Sequence, residues 1–189
     1  MRTRRFSNVI GFDDAPFPRG HCGPVKIVGA VFAHRRLDGV LVGEIEKDGC
    51  DATHQLAHLV SRSKFHQHAR LIMLQGITMG GFNVVDIIGL HRQLDLPVLV
   101  VARRKPNRDA IRRALEQHLP GGKEKWDLIE AAGVMEPTGD VFVQRVGLTR
   151  SQAIATIDQW SIHSRVPEPL RCAHLIAGAM ATGQSRNRP

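Results

Sequence analysis

Two short, uninterrupted apolar runs constrain this chain more than any other feature. LIML at residues 71–74 and PVLVVA at 97–102 show no polar alternation, as expected of strands covered on both faces. Between them, residues 83–93 carry helical spacing. A strand, a helix and a second strand in that order require a crossover connection, which predicts parallel pairing within one sheet.

Upstream of residue 71 the apolar pattern is that of a meander. Residues 9–12 form a first strand ending at the acidic pair Asp13 and Asp14, followed by a loop rich in Pro, Gly and His. Residues 25–32 are strongly apolar, and Leu37-Asp38-Gly39 supplies turn chemistry. Residues 40–46 then alternate, with Val40, Val42, Glu44 and Glu46 opposite Leu41 and Ile45. Asp51 stands as the N-cap of a helix over 52–63. Downstream, helices are predicted over 107–118, 123–132, 149–160 and 168–181, with a strand over 141–146. Three antiparallel strands followed by parallel strands give a mixed α/β sheet with helices on both faces. A ribonuclease H-like architecture matches this order, as do other mixed α/β folds. No internal repeat or linker divides residues 1–189, so one domain is expected.

Composition narrows the function classes. With 42% hydrophobic residues, a chain of 189 has material for a continuous core, and no apolar stretch approaches the roughly 18 residues a membrane span needs. The start, MRTRRFSNVIGFDD, lacks an apolar signal-peptide region, and three cysteines form no CxxC pair. A soluble protein in the reducing cytoplasm is the expectation, with no membrane partner. The formal charge of +8 favours a polyanion, nucleic acid first, although a generally basic solvated surface explains it too. With 5% aromatics and no Tyr, a large base-stacking platform is excluded.

Several residues could carry chemistry. Asp13 and Asp14 at a strand end offer oxygen ligands for a hard cation such as Mg²⁺ or Mn²⁺, but on an extended chain their side chains diverge. Asp48 in a DG turn and Asp51 at a helix start can join such a site, and both are explained without one. The glycine-rich stretch 76–86, with Gly80 and Gly81, is expected to open a helix whose N–H groups could hold phosphate; close strand–helix packing is the plainer account. Arg103, Arg104 and Lys105 follow the second buried strand and could grip a nucleic-acid backbone. In VPEPLRCAHLIAG, residues 166–178, His174 shares a helix face with Leu170 and Ala177, as a metal ligand or a core histidine. No GxSxG, Walker A, HExxH or GxGxxG pattern occurs, and the histidines at 54, 58, 66 and 68 lack further zinc partners.

Taken together, IGFDDAPF, IEKDGCDAT, QGITMGGFNVVD, LPVLVVARRKP and PEPLRCAHLIAG resemble the DUF99 (UPF0215) family, whose members include proteins called endonuclease dU. That family is similar to endonuclease V, a ribonuclease H-like, metal-dependent nuclease acting beside deaminated bases. The resemblance implies metal ligands at Asp13, Asp51 and His174, with Asp51 preferred to Asp48 as the second acid. It places Arg103 where endonuclease V has a lysine near the reacting phosphate. It implies DNA as partner and Mg²⁺ or Mn²⁺ as cofactor, in hydrolysis beside deoxyuridine or another deaminated base. Gln75-Gly76 departs from the pattern, since endonuclease V has Asp-Gly there, and a tyrosine-bearing wedge has no counterpart. A catalytically weak or inactive nucleic-acid-binding protein is the rival reading. A non-nuclease adaptor with an oligomeric interface is the third.

Overall fold

In the computed structural model, which describes residues 6–185 apart from the side chain of His118, the chain begins as an antiparallel meander. Its strands are β1 (Asn8–Asp14), β2 (Pro24–Ala33) and β3 (Arg36–Glu46). The basic residues 1–5, part of the start read above, lie outside the described residues. The β2–β3 turn falls at His34 and Arg35, with His34 at φ 57°, and not at the expected Leu37-Asp38-Gly39. That tripeptide lies inside β3, where pairing shifts register opposite Val31 and Phe32. Asp-Gly serves a bulge as readily as a turn. Leu41 and Ile45 are buried beneath β3 while Val40 and Val42 stay exposed, as their alternation requires.

Next come α1 (Ala52–Ser61), β4 (Leu71–Gln75), the short strands β5 (Thr78–Met79) and β6 (Asn83–Val84), α2 (Ile87–Leu94) and β7 (Val98–Ala102). The helix expected from Asn83 begins instead at Ile87. Asp86 caps it, its carboxylate accepting from the N–H groups of Ile88 and Gly89. Asn83 is fully buried, accepting from the Ala52 N–H and donating to the Glu46 carbonyl. The glycine-rich stretch therefore closes a hairpin, β5 against β6, before the helix starts.

The remainder is α3 (Arg108–His118), α4 (Gly122–Ala131), β8 (Glu136–Thr138), β9 (Val141–Val146), α5 (Arg150–Trp160) and α6 (Glu168–Thr182). One seven-stranded sheet runs in the order β3-β2-β1-β4-β7-β9-β8. The two apolar runs are adjacent parallel strands, Met73 opposite Leu99, and β1 is parallel to β4 on the other side. β9 returns antiparallel to β7, and β8, a Glu-Pro-Thr edge strand, closes the sheet.

Alternation divides the core between the two faces. Ile10, Phe12, Ile72, Leu74, Val98 and Val100 face α1 and α2, whereas Val9, Leu71, Met73, Leu99 and Val101 face α5 and α6. Fully burying each such side chain contributes about 1.5–3 kcal/mol, so both helix layers are firmly seated. Among the described residues no helix is long and apolar enough to cross a membrane.

Candidate active site

The site lies where β1 and β4 end beneath α6. Phe12 pairs with Leu74, so one residue further Asp13 and Gln75 stand side by side on neighbouring parallel strands. Both continue the α5/α6 face, Asp13 after Val9 and Gly11, Gln75 after Leu71 and Met73. Helix α6 approaches β1 closely because position 11 has no side chain: a Cβ there would fall 2.5 Å from the carbonyl carbon of Pro169. Leu170, Ala173 and Ala177 bury the inner face of α6, and His174 projects from the same turn toward the strand end.

Asp13 is 5% exposed, and its Oδ2 lies 2.8 Å from His174 Nδ1. Its Oδ1 accepts from the Asp14 N–H at 3.0 Å. Burial pushes the Asp13 carboxyl above its ordinary range, while the bond to His174, that residue's charge and the more distant Arg103 hold it down. His174 is raised above the ordinary imidazole value, first by its bond to Asp13. Asp14 points to the opposite face, as strand geometry demands, and accepts from the Gly80 N–H at 3.0 Å. Burial, and then the charge of Asp13, push Asp14 up to about 6.

The other candidate acids hold the glycine hairpin. Asp48 Oδ1 accepts from the Phe82 N–H at 2.8 Å, and the Asp48 N–H donates to the Gly80 carbonyl at 2.8 Å. Asp51 Oδ1 accepts from Asn83 Nδ2 at 2.6 Å and from the Glu46 N–H at 3.1 Å. Asp51 occupies the N-cap position of α1, yet its carboxylate makes no cap bond; Asn83 meets the Ala52 N–H instead. Gly80 spends its N–H on Asp14, and a Cβ on Gly81 would fall 2.3 Å from Asp48 Oδ1. The structure thus brings Asp13, Gln75 and His174 to one place and keeps Asp51, Gly80 and Gly81 on the hairpin. Arg103, Arg104 and Lys105 are exposed just past the end of β7.

Among the described residues no three His, Cys, Asp or Glu side chains gather as a metal cluster. One orphaned atom nevertheless fits a cation. Gln75 Oε1 is buried with no hydrogen-bond partner in the described structure, beside Asp13 in the strand register. A carboxylate, an amide oxygen and an imidazole suit a Mg²⁺ or Mn²⁺ that keeps waters and takes substrate oxygens, since such ions need few protein ligands. Asp13 retains lone pairs beyond its two bonds, and the bond at Nδ1 leaves His174 Nε2 facing a ligand.

A mixed sheet with this strand order, helices on both faces and an acid at the end of its central β1 defines a ribonuclease H-like protein of the endonuclease V type. An endonuclease V from Ciona intestinalis, solved with DNA containing an inosine, shares the fold at TM-score 0.55 and 12% identity, over 89% of this chain and 82% of that one. The sequence matches the family endonuclease dU over residues 5–181, and the chain belongs to that family. A UPF0215 protein of Deinococcus radiodurans is 51% identical over 181 residues, 96% of this chain and 92% of that protein. A crystal structure of an Archaeoglobus fulgidus protein superimposes at TM-score 0.85 with 38% identity, covering 92% of this chain and 97% of that one.

Proposed function

We propose that this protein is a divalent-metal-dependent endonuclease that cuts DNA beside a deaminated base, deoxyuridine first, as a step of DNA repair. The observation that carries the reading is the buried Asp13–His174 pair at a strand end, on the fold of a nuclease family. Asp13, Gln75 and His174 would hold Mg²⁺ or Mn²⁺, which when bound supplies water activation and charge neutralisation at the phosphate. Asp13 orients the imidazole through Nδ1, so that Nε2 presents a lone pair or a proton toward the scissile group. Arg103, exposed beyond β7 and close enough for its charge to act on both Asp13 and His174, meets the non-bridging phosphate oxygens. A deaminated base is unstacked at less cost than a paired one, by up to a few kcal/mol, which favours its selection. With no Tyr in the chain, the base is met by a device other than a tyrosine wedge.

The second reading, a DNA-binding protein with weak or no catalysis, is favoured by the neutral Gln75 and by the engagement of Asp51 with Asn83. Labelled duplexes containing uracil, hypoxanthine or neither, incubated with and without Mg²⁺ or Mn²⁺, separate the two. Metal-dependent nicking of the uracil strand is expected. Tight binding to every duplex without cleavage of any would replace the nuclease by the binding protein.

A further inference from the structure

The segment PEPLR, residues 167–171, carries two charged residues that the cleavage centre does not use. Glu168 is 7% exposed at the first turn of α6, where burial of a carboxylate demands a partner. It has a bidentate one: Arg171 donates through Nε at 3.0 and 2.9 Å and through Nη2, and His163 Nδ1 lies 3.3 Å away. The guanidinium is thereby fixed, one turn before His174, with Nη1 making no bond to any described residue. Arg171 lines an open cleft of about 1150 Å³ together with Arg103, Arg104, His163, Arg165 and Leu175. That exceeds the roughly 300–1,000 Å³ of an ordinary small-molecule pocket. Its walls are cationic, and the one nearby acid outside Glu168, Asp140, sits 3.6 Å from Arg165 in an exposed pair that contributes little.

We infer that this cleft is a track for the sugar–phosphate backbone of a DNA strand leading away from the cleavage position, with Glu168 as the positioning residue that aims Arg171 into it. The inference deepens the nuclease reading and rests on it for where the strand is cut. Arg103 joins the two regions, lining the cleft and acting electrostatically on Asp13 and His174. The lining holds no Phe or Trp, so the grip falls on phosphates and not on bases: affinity is independent of sequence and steeply dependent on salt.

The test is binding without cleavage, by fluorescence anisotropy of a labelled DNA duplex in EDTA with the Asp13→Asn protein, across a salt series. Adding Arg104→Ala and Arg165→Ala removes two exposed cations and should make the slope of log affinity against log salt shallower by about two. Arg35→Ala with Arg36→Ala, an equal loss of charge at the β2–β3 turn, should leave it unchanged. Glu168→Gln makes the protein more positive, so charge alone predicts tighter binding, whereas release of Arg171 predicts weaker binding. Arg171→Lys keeps the charge, loses the fork and should weaken binding as well. Wild-type slope in the Arg104/Arg165 protein would overturn the track, and tighter binding by Glu168→Gln would overturn the positioning role. If the binding pattern holds while wild-type protein cuts nothing, only the nuclease reading fails.

Discussion

Gly11 on β1 lies so close under Pro169 of α6 that a Cβ at residue 11 would stand 2.7 Å from the Pro169 Cβ and 2.8 Å from the Leu170 nitrogen. This contact sets the height of α6 above the sheet, and with it the Asp13–His174 distance. Gly11→Ala must push α6 outward, at an expected cost of about 1–3 kcal/mol. A displacement near 1 Å is enough to lower turnover by roughly 10²-fold. Urea denaturation and turnover per folded molecule check both. A variant that matched wild type in each would show that α6 does not depend on this contact.

Asp14 links stability to pH. Its folded pKa of about 6 exceeds the ordinary 3.8, so the folded chain holds the proton more tightly than the unfolded chain. Metal-free protein should therefore lose stability as pH rises from about 4 to about 6, by up to about 3 kcal/mol. Asp14→Asn retains an acceptor for the Gly80 N–H and cannot ionise, so its stability curve should lack that fall. Chemical denaturation of both proteins in EDTA across this range gives the difference directly. Parallel curves would remove Asp14 as the source.

Asp51 distinguishes a structural acid from a metal ligand. Asp51→Ala leaves buried Asn83 Nδ2 with one fewer acceptor and should cost about 1–3 kcal/mol. Turnover per folded molecule should stay near wild type. Normal stability with abolished metal-dependent cleavage would return Asp51 to the metal site.

Much of this arrangement is legible in the sequence, and what is not depends on register or tertiary pairing. The apolar runs at 71–74 and 97–102 specify parallel central strands because continuous burial leaves few other solutions. The divergence of Asp13 and Asp14 follows from strand geometry alone, and the structure sends them to opposite faces. The hairpin is different. Asn83 reads as an ordinary residue at a helix start, and nothing local announces that it will be buried between Glu46, Asp51 and Ala52. A polar residue preceding Val84-Val85, with a capping Asp86 three residues on, was the available signal. The nearness of Gln75 to Asp13 is a property of pairing, and the Glu168–Arg171 fork emerges only when Glu168 is seen to be buried.

Gln75 limits metal affinity. A carboxylate attracts a divalent cation more strongly than an amide does, so Gln75→Asp, or Gln75→Glu where reach matters, should tighten Mn²⁺ binding. Calorimetric titration of wild type and both variants at one ionic strength reads the change. No gain from either acid would place Gln75 outside the site.

The central claim is that the Asp13–His174 pair is the cleavage centre, and Asp13→Asn tests it most directly because it preserves side-chain size while removing the anionic ligand. The measurement is the initial rate of Mn²⁺-dependent nicking of a uracil-containing duplex by wild type and Asp13→Asn, with DNA binding and melting temperature recorded on the same preparations. Wild type should nick the uracil strand, and the variant should bind the duplex, stay folded and nick at least roughly 10²-fold more slowly. Equal nicking rates from the two folded proteins would contradict the claim.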